Sequence, residues 1–585
     1  MIQLPLQATG IAVLLLILST SDHIDGFKFI LLHTNDMQAR YDQVSAKGGK
    51  CKLIDEKLGQ CYGGFGRLAT ALDKYRKEES DPVLYLNGGD TFHGTPWYAV
   101  YQGKMVARML NMLAPDAMTL GVHEFDDGTD VLAEFISLIN FPMVSCNLKL
   151  IDEPKLEASE NLRNFTIIKK GGRSIGIVGY IHAETKQRTQ PNHIEFVNEI
   201  PEINKYAMKL RELGVNIIIA LGHAGYKKDI EIAKMCPEVD VVVGGQSHTL
   251  LYTGRAPGKD IPEGPYPTIV VKPDGRKVPV VQAYAYTKYL GRMSLEFDRA
   301  GNLLNFKGQP ILLDNSFEPK SDIEAFLDSY RQVIDDMERH VVGTTSVFLN
   351  GDRKSCGFGE CNFGNMIADS FVYAGVQETL QDRGSWTDAP IGIINAGAIR
   401  ASIDPGVITE GDVITVMPFS NGIFHTRISG LQLMNALEHS AYLRTKNQNN
   451  GFLQVSGLRI KFNYSRPMGQ RITEFKALCS DCQIPHYERV KTDEYYGVVI
   501  PSFLLNGGEG YNFVDKHNPE VRNMSLLDRM AFIRYLQEHK IVYPERQERM
   551  AEQERYLRSN GSTTSIPLLY PVAFLLLFHC FSFVK

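Results

Sequence analysis

Four polar residues of metal-binding type directly follow short apolar runs of this sequence. They are Asp36 after FKFILLHTN, Asp90 after PVLYLNGG, His223 after VNIIIALG and His248 after VDVVVGGQS. Carboxylate oxygens and imidazole nitrogens bind divalent cations, and a pair of such cations activates water and neutralises a phosphoryl group. Residues 121–126, GVHEFD, add His123, Glu124 and Asp126 in a stretch typical of an active-site loop. The sequence therefore indicates metal-assisted chemistry.

The apolar runs that precede these residues must position them. From Phe27 to about Asp314, short β-branched runs alternate with helical stretches. Runs of this length suit strands buried on both faces of a sheet, with helices on each side. Polar residues at the carboxyl ends of neighbouring strands converge in one crevice, which is where open α/β sheets place their sites. We therefore expect one site at the strand ends of an α/β domain.

A charge-rich amphipathic helix is predicted over Ser321–Val341. Ser321 has the features of an N-cap, and Glu324 stands at the capping-box spacing. We interpret this segment as a linker rather than the last helix of the first domain, because a strand-rich region follows it through about Pro544. That region predicts a second, α+β domain, and the mostly charged residues 545–560 predict a helical or flexible stalk.

Both ends of the chain carry apolar segments typical of processing signals. Ile11–Thr20 is too short to span a bilayer and predicts a secretory signal peptide, although no Lys or Arg precedes it. Ser565–Val584 follows the small residues Asn560, Gly561 and Ser562 and fits a GPI-attachment signal, with an ordinary C-terminal transmembrane helix as the alternative. We expect a secreted or GPI-anchored extracellular protein with these parts: signal peptide 1–21, N-terminal domain 27–315, linker helix 316–341, C-terminal domain 342–544, stalk 545–560 and GPI signal 561–585.

The composition indicates a protein of two or more domains and argues against a nucleic-acid partner. The chain has 585 residues, of which 44% are hydrophobic, so it can bury large cores in two or more domains. The 62 Lys and Arg residues nearly balance the 67 Asp and Glu residues, which argues against nucleic acid as a partner.

The spacing of the cysteines agrees with the prediction that the protein is secreted. Three close pairs are candidate disulfides of an oxidising compartment: Cys51–Cys61, Cys356–Cys361 and Cys479–Cys482. The last pair is a CxxC that could instead be a redox motif or half of a zinc site, but no second CxxC completes one. Cys146 and Cys236 border strand-like runs and are predicted to be buried thiols. Sequons compatible with glycosylation occur at Asn164, Asn463, Asn523 and Asn560.

The motifs of this chain, taken in order, resemble those of a known family. LHTNDMQAR, NGGDTFHGT, LGVHEFD, LGHAGY and VGGQSHT are similar to the metal-dependent phosphoesterase domain of the 5′-nucleotidase/apyrase family. CGFGECNFGN, INAGAIR, MPFSNG and PSFLLNGGEGY are similar to its C-terminal nucleotide-binding domain. The resemblance implies an α/β fold: a four-layer α/β/β/α metallophosphoesterase-like domain joined by a helix to a smaller α+β nucleotide-binding domain. The terminal signals match membrane-anchored ecto-5′-nucleotidases, and the chain is also similar to salivary apyrases of blood-feeding arthropods.

Several metal-ligand positions implied by this resemblance are altered. It places the first metal at Asp36, Gln38, Asp90 and His248, and the second at Asp90, Val122, His223 and Gln246. Gln38, Val122 and Gln246 replace the family's ligands; valine cannot coordinate, and a glutamine carbonyl is a weaker ligand than imidazole for zinc-like ions. Because zinc normally has at least three good protein ligands, we expect one divalent metal at most, zinc or a similar ion, or none. His123 and Asp126 match the family's catalytic His–Asp dyad.

The C-terminal domain shows a similar loss. The family's phosphate clamp draws on arginines in the short disulfide loop, where this chain has CGFGEC with Gly357 and Gly359. Arginine contacts phosphate through charge-assisted bidentate hydrogen bonds, and glycine cannot. The resemblance assigns substrate binding to residues that persist: Asn395, Arg400, the base-sandwiching Phe419 and Phe503, and Glu509, where the family usually has a ribose-binding Asp. Such a slot could still hold an adenine nucleotide or adenosine.

Two functional hypotheses follow. The first is a pseudoenzyme that binds a nucleotide, a nucleoside or a host cell-surface receptor and, as a salivary relative, interferes with platelet aggregation. The second is an active 5′-nucleotidase or apyrase that hydrolyses AMP or ADP/ATP with an altered metal site. The tripeptide NGD at Asn350–Asp352 resembles an integrin-type motif, but an Asn-Gly turn is its commoner meaning. A homodimer is left open, and His93 near Asp90 is expected to be a solvated loop histidine rather than a substitute ligand.

Overall fold

The computed structural model of the chain describes residues 26–189, 192–379, 386–446, 449–514 and 520–553. The predicted signal peptide (1–21) and GPI signal (561–585) lie outside these residues. Within the described ranges, no helix combines the length and apolar character that a membrane crossing requires. Cys146 and Cys236 are buried thiols, as predicted. Disulfide bonds join the three predicted pairs: Cys51–Cys61, Cys356–Cys361 and Cys479–Cys482.

The strands of the N-terminal half are β1 (Phe27–Thr34), β2 (Val44–Ser45), β3 (Cys61–Tyr62), β4 (Val83–Asn87), β5 (Ala117–Thr119), β6 (Met143–Val144), β7 (Leu148–Leu150), β8 (Leu162–Arg163), β9 (Phe165–Lys170), β10 (Arg173–Ile181), β11 (Ile194–Phe196), β12 (Ile218–His223), β13 (Val241–Val243), β14 (Thr268–Val271), β15 (Lys277–Val281), β16 (Tyr289–Phe297), β17 (Leu303–Gly308) and β18 (Ile311–Leu312). Its helices are α1 (Leu53–Lys57), α2 (Phe65–Glu78), α3 (Pro96–Leu113), α4 (Thr129–Leu138), α5 (Pro154–Glu157), α6 (Glu199–Glu212) and α7 (Tyr226–Met235).

Two mixed sheets pack face to face in this half. One has the strand order β17–β16–β1–β4–β5–β6–β8, with β18 paired to β16, and the other has the order β14–β15–β13–β12–β10–β9. Successive side chains of a strand point to opposite faces, so each strand contributes to two hydrophobic cores. The core between the sheets includes Phe29, Leu31, Leu84, Ile177 and Ile219.

Helices cover the outer face of each sheet. Ile30 and Leu32 of the first sheet pack with residues of α2, α3 and α4, and Val178 and Ile218 of the second pack with residues of α6 and α7. The four-layer α/β/β/α architecture is therefore confirmed. The interpretation that helices cover both faces of one sheet is wrong, because the inner face of each sheet lies against the other sheet. A sheet covered by helices on both faces and a sheet packed on a second sheet both bury their two faces. Their strands therefore have the same continuous apolar runs.

Two helices, α8 (Ser321–Asp328) and α9 (Arg331–Arg339), replace the single linker helix predicted over Ser321–Val341. Ser329 and Tyr330 separate them. The Tyr330 carbonyl oxygen accepts a hydrogen bond from the Tyr101 hydroxyl at 2.7 Å, and the two tyrosine rings pack with centroids 5.3 Å apart. The sequence pattern missed this break because the contact comes from another helix, α3.

The start of α8 also differs from the prediction. Lys320 is the N-cap, Ser321 is the first helical residue, and no side chain caps the helix. The capping box predicted between Ser321 and Glu324 is therefore wrong. Ile323 and Leu327 instead fix the helix by packing into the core of the N-terminal half.

The strands of the C-terminal half are β19 (Val341–Thr345), β20 (Ile391–Asn395), β21 (Gly406–Thr409), β22 (Gly422–Ser429), β23 (Leu453–Ser456), β24 (Leu458–Phe462), β25 (Ile472–Leu478), β26 (Tyr487–Arg489), β27 (Tyr495–Pro501), β28 (Val521–Leu527), β29 (Ile541–Val542) and β30 (Met550–Glu552). Its helices are α10 (Arg353–Cys356), α11 (Asn362–Thr379), α12 (Glu410–Val416), α13 (Gly430–Thr445), α14 (Ser502–Leu505) and α15 (Asp528–His539). Its sheets have the orders β23–β20–β27–β22–β28, β21–β19–β29 and β26–β25–β24–β30 and share one hydrophobic core.

The first part of the predicted stalk, 545–560, belongs to the folded C-terminal half. The structure describes it as far as Gln553, and β30 pairs in parallel with β24. Arg549 is buried; its guanidinium lies 2.7 Å from an Asp369 carboxylate oxygen and donates to the Val455 carbonyl oxygen at 2.9 Å. The stalk prediction is wrong for these residues because a charge-rich composition concealed a buried, ion-paired arginine.

Candidate active site

The loops that follow β1 and β4 place the two candidate carboxylates. Asp36 and Asp90 both have left-handed backbone, with φ of 50° and 55°. The Asp36 amide donates to the Gly89 carbonyl at 2.9 Å and the Gln38 amide donates to the Asp90 carbonyl at 3.0 Å, so each loop holds the other. This backbone costs about 1–3 kcal/mol at a non-glycine residue and is concentrated at functional sites. It recurs at four further residues of the predicted site: Gln38, Gln246, His248 and Glu509.

Asp36, Asp90 and His223 converge at the strand ends, as the sequence predicts. Their ligand atoms all lie within 4.8 Å of one another. His223 Nε2 is 3.0 Å from Asp90 Oδ2 and 3.8 Å from Asp36 Oδ1, and all three side chains are buried. The fourth predicted residue, His248, places Nε2 3.3 Å from Asp36 Oδ1. We call these four residues the cation cluster.

The buried atoms of the cation cluster that make no hydrogen bond of good geometry fit a divalent cation. His223 Nδ1 donates to the Gly88 carbonyl oxygen at 2.6 Å, which leaves Nε2 facing the carboxylates. Neither His223 Nε2 nor Asp36 Oδ1 has a hydrogen-bond partner among the described residues, although both are buried. Burial opposes the charged form of His223, but the carboxylates of Asp90 and Asp36 outweigh it and raise its pKa to about 10. Two carboxylates and an imidazole suit zinc or a similar ion.

The three altered positions lie beside this cluster and add no strong ligand. Val122 is buried and lines the same cavity as His248. The Gln246 backbone amide donates to Asp36 Oδ2 at 2.9 Å, while its side-chain Nε2 has no partner in the described part of the chain. Gln38 Nε2 lies 3.4 Å from His248 Nε2, so this glutamine contacts an imidazole rather than a carboxylate.

His123 and Asp126 form a close pair, called the dyad below. His123 Nδ1 and Asp126 Oδ2 are 2.6 Å apart. The His123 amide donates to Asp90 Oδ1 at 2.9 Å, and its Nε2 lies 3.7 Å from Asp90 Oδ2. Burial opposes the charged form of His123, but the carboxylates of Asp90 and Asp126 prevail and raise its pKa. The raised pKa favours the protonated imidazole, which is the form that a general acid needs.

Glu124 is a part of the site to which sequence reasoning assigned no role. Its side chain is buried and accepts hydrogen bonds at 2.6–3.3 Å from four backbone amides and one hydroxyl: the amides of Asp90, Thr91, Phe92 and Gly121, and Thr91 Oγ1. One carboxylate thus joins the loop of Asp90 to the loop of the dyad. The available signal was its position inside GVHEFD, where an acidic residue stands between His123 and Asp126.

His93 is buried, and the expectation of a solvated loop histidine is wrong. Its ring centroid lies 4.2 Å from that of Tyr98 and 5.5 Å from that of Phe419. Its Nε2 lies 3.5 Å from Asp127 Oδ2. Aromatic side chains from both halves of the chain cover this loop, which a single-sequence pattern cannot reveal.

The C-terminal half closes the cavity opposite the cation cluster. Phe419 stacks on His123 with ring centroids 5.2 Å apart and planes at 24°, and the Arg400 guanidinium carbon lies 5.6 Å from the Phe419 ring centroid. The structure brings the five residues predicted for substrate binding into the cavity that Asp90 and the dyad line: Asn395, Arg400, Phe419, Phe503 and Glu509.

Among the cavity-lining residues to which sequence reasoning assigned no role are Arg188, Arg353 and Asn450. Arg188 comes from the N-terminal half, and its Nε lies 3.9 Å from Glu509 Oε2. Arg353 donates through Nε to Asn450 Oδ1 at 2.6 Å, and both residues belong to the C-terminal half. The signal for Arg353 was its position three residues before Cys356, whereas the family resemblance directs attention to the cysteine loop itself.

Comparisons with known proteins agree with this architecture. The family model described as calcineurin-like phosphoesterase matches residues 29–250, and the model described as 5′-nucleotidase, C-terminal domain, matches residues 341–516. The first of these families uses divalent metals, in keeping with the cation cluster.

Individual proteins match over most of their length. Protein 5NUC of Lutzomyia longipalpis is 40% identical over 509 residues, which cover 86% of this chain and 89% of that protein. Snake venom 5′-nucleotidase of Gloydius brevicauda is 38% identical over 512 residues, covering 86% of this chain and 85% of that protein. The crystal structure of a 5′-nucleotidase precursor from Thermus thermophilus superposes with a TM-score of 0.81 at 32% identity, covering 90% of this chain and 100% of that one. This chain belongs to the 5′-nucleotidase family.

Proposed function

We propose that this chain is an extracellular, nucleotide-binding member of the 5′-nucleotidase family in which metal-dependent hydrolysis is lost or strongly reduced. The observation that carries the proposal is Val122, whose buried isopropyl group lines the cavity beside the dyad and offers no donor atom. By the family resemblance, a second ion beside Asp90 would have only His223 and the neutral Gln246 as further ligands, and His223 already belongs to the group that would hold the first ion. Zinc sites normally use at least three good protein ligands. The pair of cations that would clamp a phosphoryl group is therefore incomplete.

One divalent cation remains compatible with the residues present. Asp36, Asp90 and His223 would hold it, with His248 as the nearest further imidazole. When bound, such an ion supplies Lewis-acid polarisation of a phosphoryl oxygen. The dyad supplies a proton, and Asp126 fixes the orientation of the imidazole that carries it. The site thus retains an acid while the means of activating a water nucleophile is weakened.

An adenine nucleotide or adenosine is the ligand most compatible with the cavity. Phe419 and Phe503 offer aromatic faces to a base, and base–aromatic stacking tolerates any base. The Glu509 carboxylate and Asn395 Oδ1 offer acceptors for ribose or amino groups, since Asn395 Oδ1 has no hydrogen-bond partner in the described ranges. The similar proteins are named 5′-nucleotidases, which supports the same ligand class.

Two arginines of the cavity favour a nucleotide over a nucleoside. Arg353 donates to the Asn450 amide oxygen at 2.6 Å, and Arg400 Nη1 lies 3.4 Å from the Gly397 carbonyl oxygen. Both partners are neutral, and neither guanidinium forms an ion pair with a described residue. Arg188 in the same cavity differs, because it lies 3.3 Å from a Glu184 carboxylate oxygen. Arg353 and Arg400 are therefore the groups that would meet a phosphate, which guanidinium groups contact in pairs.

An extracellular location is supported by the disulfides and by the venom relative's name. Attachment to a membrane through a lipid anchor at 561–585 is part of the proposal and rests on the sequence. A receptor-binding role for Asn350–Asp352 gains no support. Asp352 Oδ2 accepts a hydrogen bond from the Ser355 amide at 3.0 Å and Asn350 Oδ1 accepts one from the Asp352 amide at 3.0 Å, so the tripeptide forms a turn that caps α10.

Calorimetric titration of the full chain with adenosine, AMP and ADP, beside phosphate-release assays with Zn²⁺, Mn²⁺, Mg²⁺ and Ca²⁺, tests the proposal. We expect binding of at least one ligand and little or no turnover with any cation. Robust turnover that Asp90→Ala abolishes would overturn the loss of hydrolysis. Failure of all three ligands to bind would overturn the nucleotide-binding role.

One zinc ion per chain is the expected stoichiometry. The ion should be lost in His223→Ala, because this change removes the imidazole whose nitrogen lies within 4.8 Å of both carboxylates, and His248 lies outside that group. Equilibrium dialysis and metal analysis under non-reducing conditions, which keep Cys479–Cys482 closed, give the number directly. His193→Ala removes an exposed histidine and should leave one ion bound. Two ions per wild-type chain would contradict this prediction.

Phe419→Ala should weaken the binding of AMP by about 10- to 100-fold. Loss of a stacking ring costs about 1–3 kcal/mol per base, and each 1.4 kcal/mol is tenfold in Kd. Calorimetry measures the change, and Tyr543→Ala, at an exposed ring, is the control that should leave Kd unchanged. A change below twofold in Phe419→Ala would mean that the base lies elsewhere.

Arg353→Ala should weaken the binding of AMP about tenfold or more and leave the binding of adenosine nearly unchanged, because only AMP carries a phosphate for the guanidinium to contact. Calorimetry in the presence of EDTA removes the contribution of bound metal. Lys354→Ala is the matched control: it removes the same charge one position along α10, at a side chain that is 70% exposed and 3.5 Å from Glu263. Equal losses for the two ligands in Arg353→Ala would place the phosphate elsewhere.

A second candidate function, an active 5′-nucleotidase or apyrase, is favoured by the close His123–Asp126 contact at 2.6 Å. Such a short contact orients the imidazole for proton transfer, which only a catalytic dyad needs. The two candidates differ in one result. His123→Ala should abolish turnover if the chain is active, and there is no turnover to abolish if it is not.

A further inference from the structure

The turn between β25 and β26 brings two cysteines and a histidine together, away from the nucleotide cavity. Leu478 pairs with Tyr487 at the end of this hairpin, and the Cys479 amide donates to the His486 carbonyl oxygen at 3.0 Å, so Cys479 and His486 lie opposite each other. The sulfur atoms of Cys479 and Cys482 and a ring nitrogen of His486 all lie within 4.8 Å of one another. We call these three residues the thiol–histidine cluster.

His486 is oriented by a carboxylate. Its Nε2 lies 2.8 Å from Glu488 Oε1, and its Nδ1 lies 3.4 Å from Cys479 Sγ. A carboxylate that holds one ring nitrogen of a histidine leaves the other available to a metal ion. His486 Nδ1 also lies 3.0 Å from the Ile484 carbonyl oxygen. The Ile484 contact and then the Glu488 contact raise the pKa of His486, so a metal ion competes with a proton at Nδ1.

The backbone also favours negative charge on one sulfur. The His486 amide donates to Cys479 Sγ at 3.3 Å. Hydrogen bonds to the charged form of a group stabilise that form, and the thiolate is the form of cysteine that binds metal. Cys479 therefore has the surroundings of a metal ligand once its disulfide is open.

The disulfide Cys479–Cys482 differs from the other two in ways that make it open more readily. Both of its cysteines are partly exposed, whereas Cys61, Cys356 and Cys361 are buried. It encloses only two residues, and in the chain-entropy account the stabilisation from a disulfide falls as the closed loop becomes shorter. A reductant can reach this bond, and its loss leaves the hairpin pairing of β25 with β26 in place.

We propose that the thiol–histidine cluster is a redox-controlled zinc site, closed as a disulfide in oxidising surroundings and able to bind one soft divalent ion after reduction by a dithiol. In the reductive step the dithiol is oxidised to its own disulfide, the Cys479–Cys482 bond breaks, and each cysteine sulfur gains one proton. Zinc binding then releases both protons. Two thiolates and one imidazole give three good protein ligands, with water as the fourth.

Zinc per chain before and after reduction tests the proposal. The full chain is reduced with dithiothreitol, passed over a desalting column without oxygen, and dialysed against zinc, beside an unreduced sample. We expect one more zinc ion per chain in the reduced sample. In reduced chain that carries His223→Ala, which removes a ligand of the cation cluster, we expect one ion to remain. An equal zinc content in the oxidised and reduced wild type would overturn the proposal.

Cobalt and three variants identify the ligands. Cobalt bound to the reduced chain should show the absorption of a thiolate–cobalt bond, which carboxylates and imidazoles do not produce. The double variant Cys479→Ser, Cys482→Ser should gain no ion on reduction, although Cys51–Cys61 and Cys356–Cys361 remain reducible. His486→Ala should weaken zinc binding at least tenfold, and Glu488→Ala about tenfold, in keeping with the usual effect of a residue that orients a ligand. His193→Ala, at an exposed histidine, is the control.

The fluorescence of Trp386 reports on zinc binding at the thiol–histidine cluster. Its indole Nε1 donates to the Cys479 carbonyl oxygen at 2.7 Å. We expect zinc to change the fluorescence of the reduced chain, and this change to be absent from the double serine variant and from Trp386→Phe. Unchanged zinc uptake in the reduced double serine variant would overturn the assignment, because the additional ion would then lie elsewhere. The result is independent of nucleotide binding.

Discussion

Phosphate release from AMP should rise by about 100-fold or more when Gln38→His, Val122→Asn and Gln246→His are combined in one chain. The three changes supply two imidazoles and an amide oxygen around Asp36, Asp90 and His223, where the wild type has a valine and two weak ligands. A complete cation pair activates water and neutralises the phosphoryl group. An added transition-state stabilisation of only about 3 kcal/mol corresponds to a rate increase of roughly 100-fold. The measurement is a steady-state phosphate assay with zinc, and zinc per chain should rise from one to two.

Two further variants show whether a gain in rate comes from the added metal ligands or only from removal of the Val122 side chain. Val122→Ala removes the apolar group without adding a donor and should leave the rate unchanged. The triple variant combined with Asp90→Ala should be inactive, because that carboxylate would be shared by both ions. The hypothesis is refuted if the triple variant binds two zinc ions and gains no activity, or if the wild type already matches its rate.

Glu124→Ala should lower the free energy of unfolding by about 5 kcal/mol. The change leaves the four amides and the hydroxyl that donate to Glu124 buried without their partner, and each unsatisfied buried donor costs about 1–3 kcal/mol. Partial relaxation and entry of water keep the total below the simple sum. Urea unfolding followed by tryptophan fluorescence suits this measurement, since Trp97 is buried in the same half of the chain.

Glu134→Ala provides the reference for this loss. Glu134 is a half-exposed glutamate of α4 with one exposed ion pair to Lys104, and its removal should change the unfolding free energy by less than about 1 kcal/mol. Glu124→Gln should fall between the two, because its amide keeps one acceptor oxygen and turns an extra donor towards the backbone amides. A loss below about 1 kcal/mol in Glu124→Ala would show that the two loops hold their shape without this carboxylate.

The sequence predicted those features that depend on local pattern. Apolar runs that end in Asp36, Asp90, His223 and His248 predicted strands and a convergent site, because parallel strands bring their carboxyl ends together. The disulfides followed from close cysteine spacing. The four layers came from the family resemblance, since continuous apolar runs do not distinguish a sheet covered by helices on both faces from one packed on a second sheet.

Features that depend on distant contacts were missed. The break between α8 and α9 involves the Tyr101 hydroxyl, which belongs to a residue 229 positions earlier in the chain. The burial of Arg549 needs Asp369, and the burial of His93 needs Phe419. Arg353 was missed for a different reason: the glycines of the cysteine loop directed attention to that loop, whereas the arginine that lines the cavity lies just before it.

The left-handed backbone at Asp36, Gln38, Asp90, Gln246 and His248 determines how the site responds to substitution. The strain lies in the backbone of these five residues rather than in their side chains, so replacing a metal-ligand side chain does not relieve it. The backbone can consequently keep its conformation when the ligand side chains change. Substitutions at Gln38, Val122 and Gln246 are therefore expected to change ion binding and to leave the backbone conformation of the site in place.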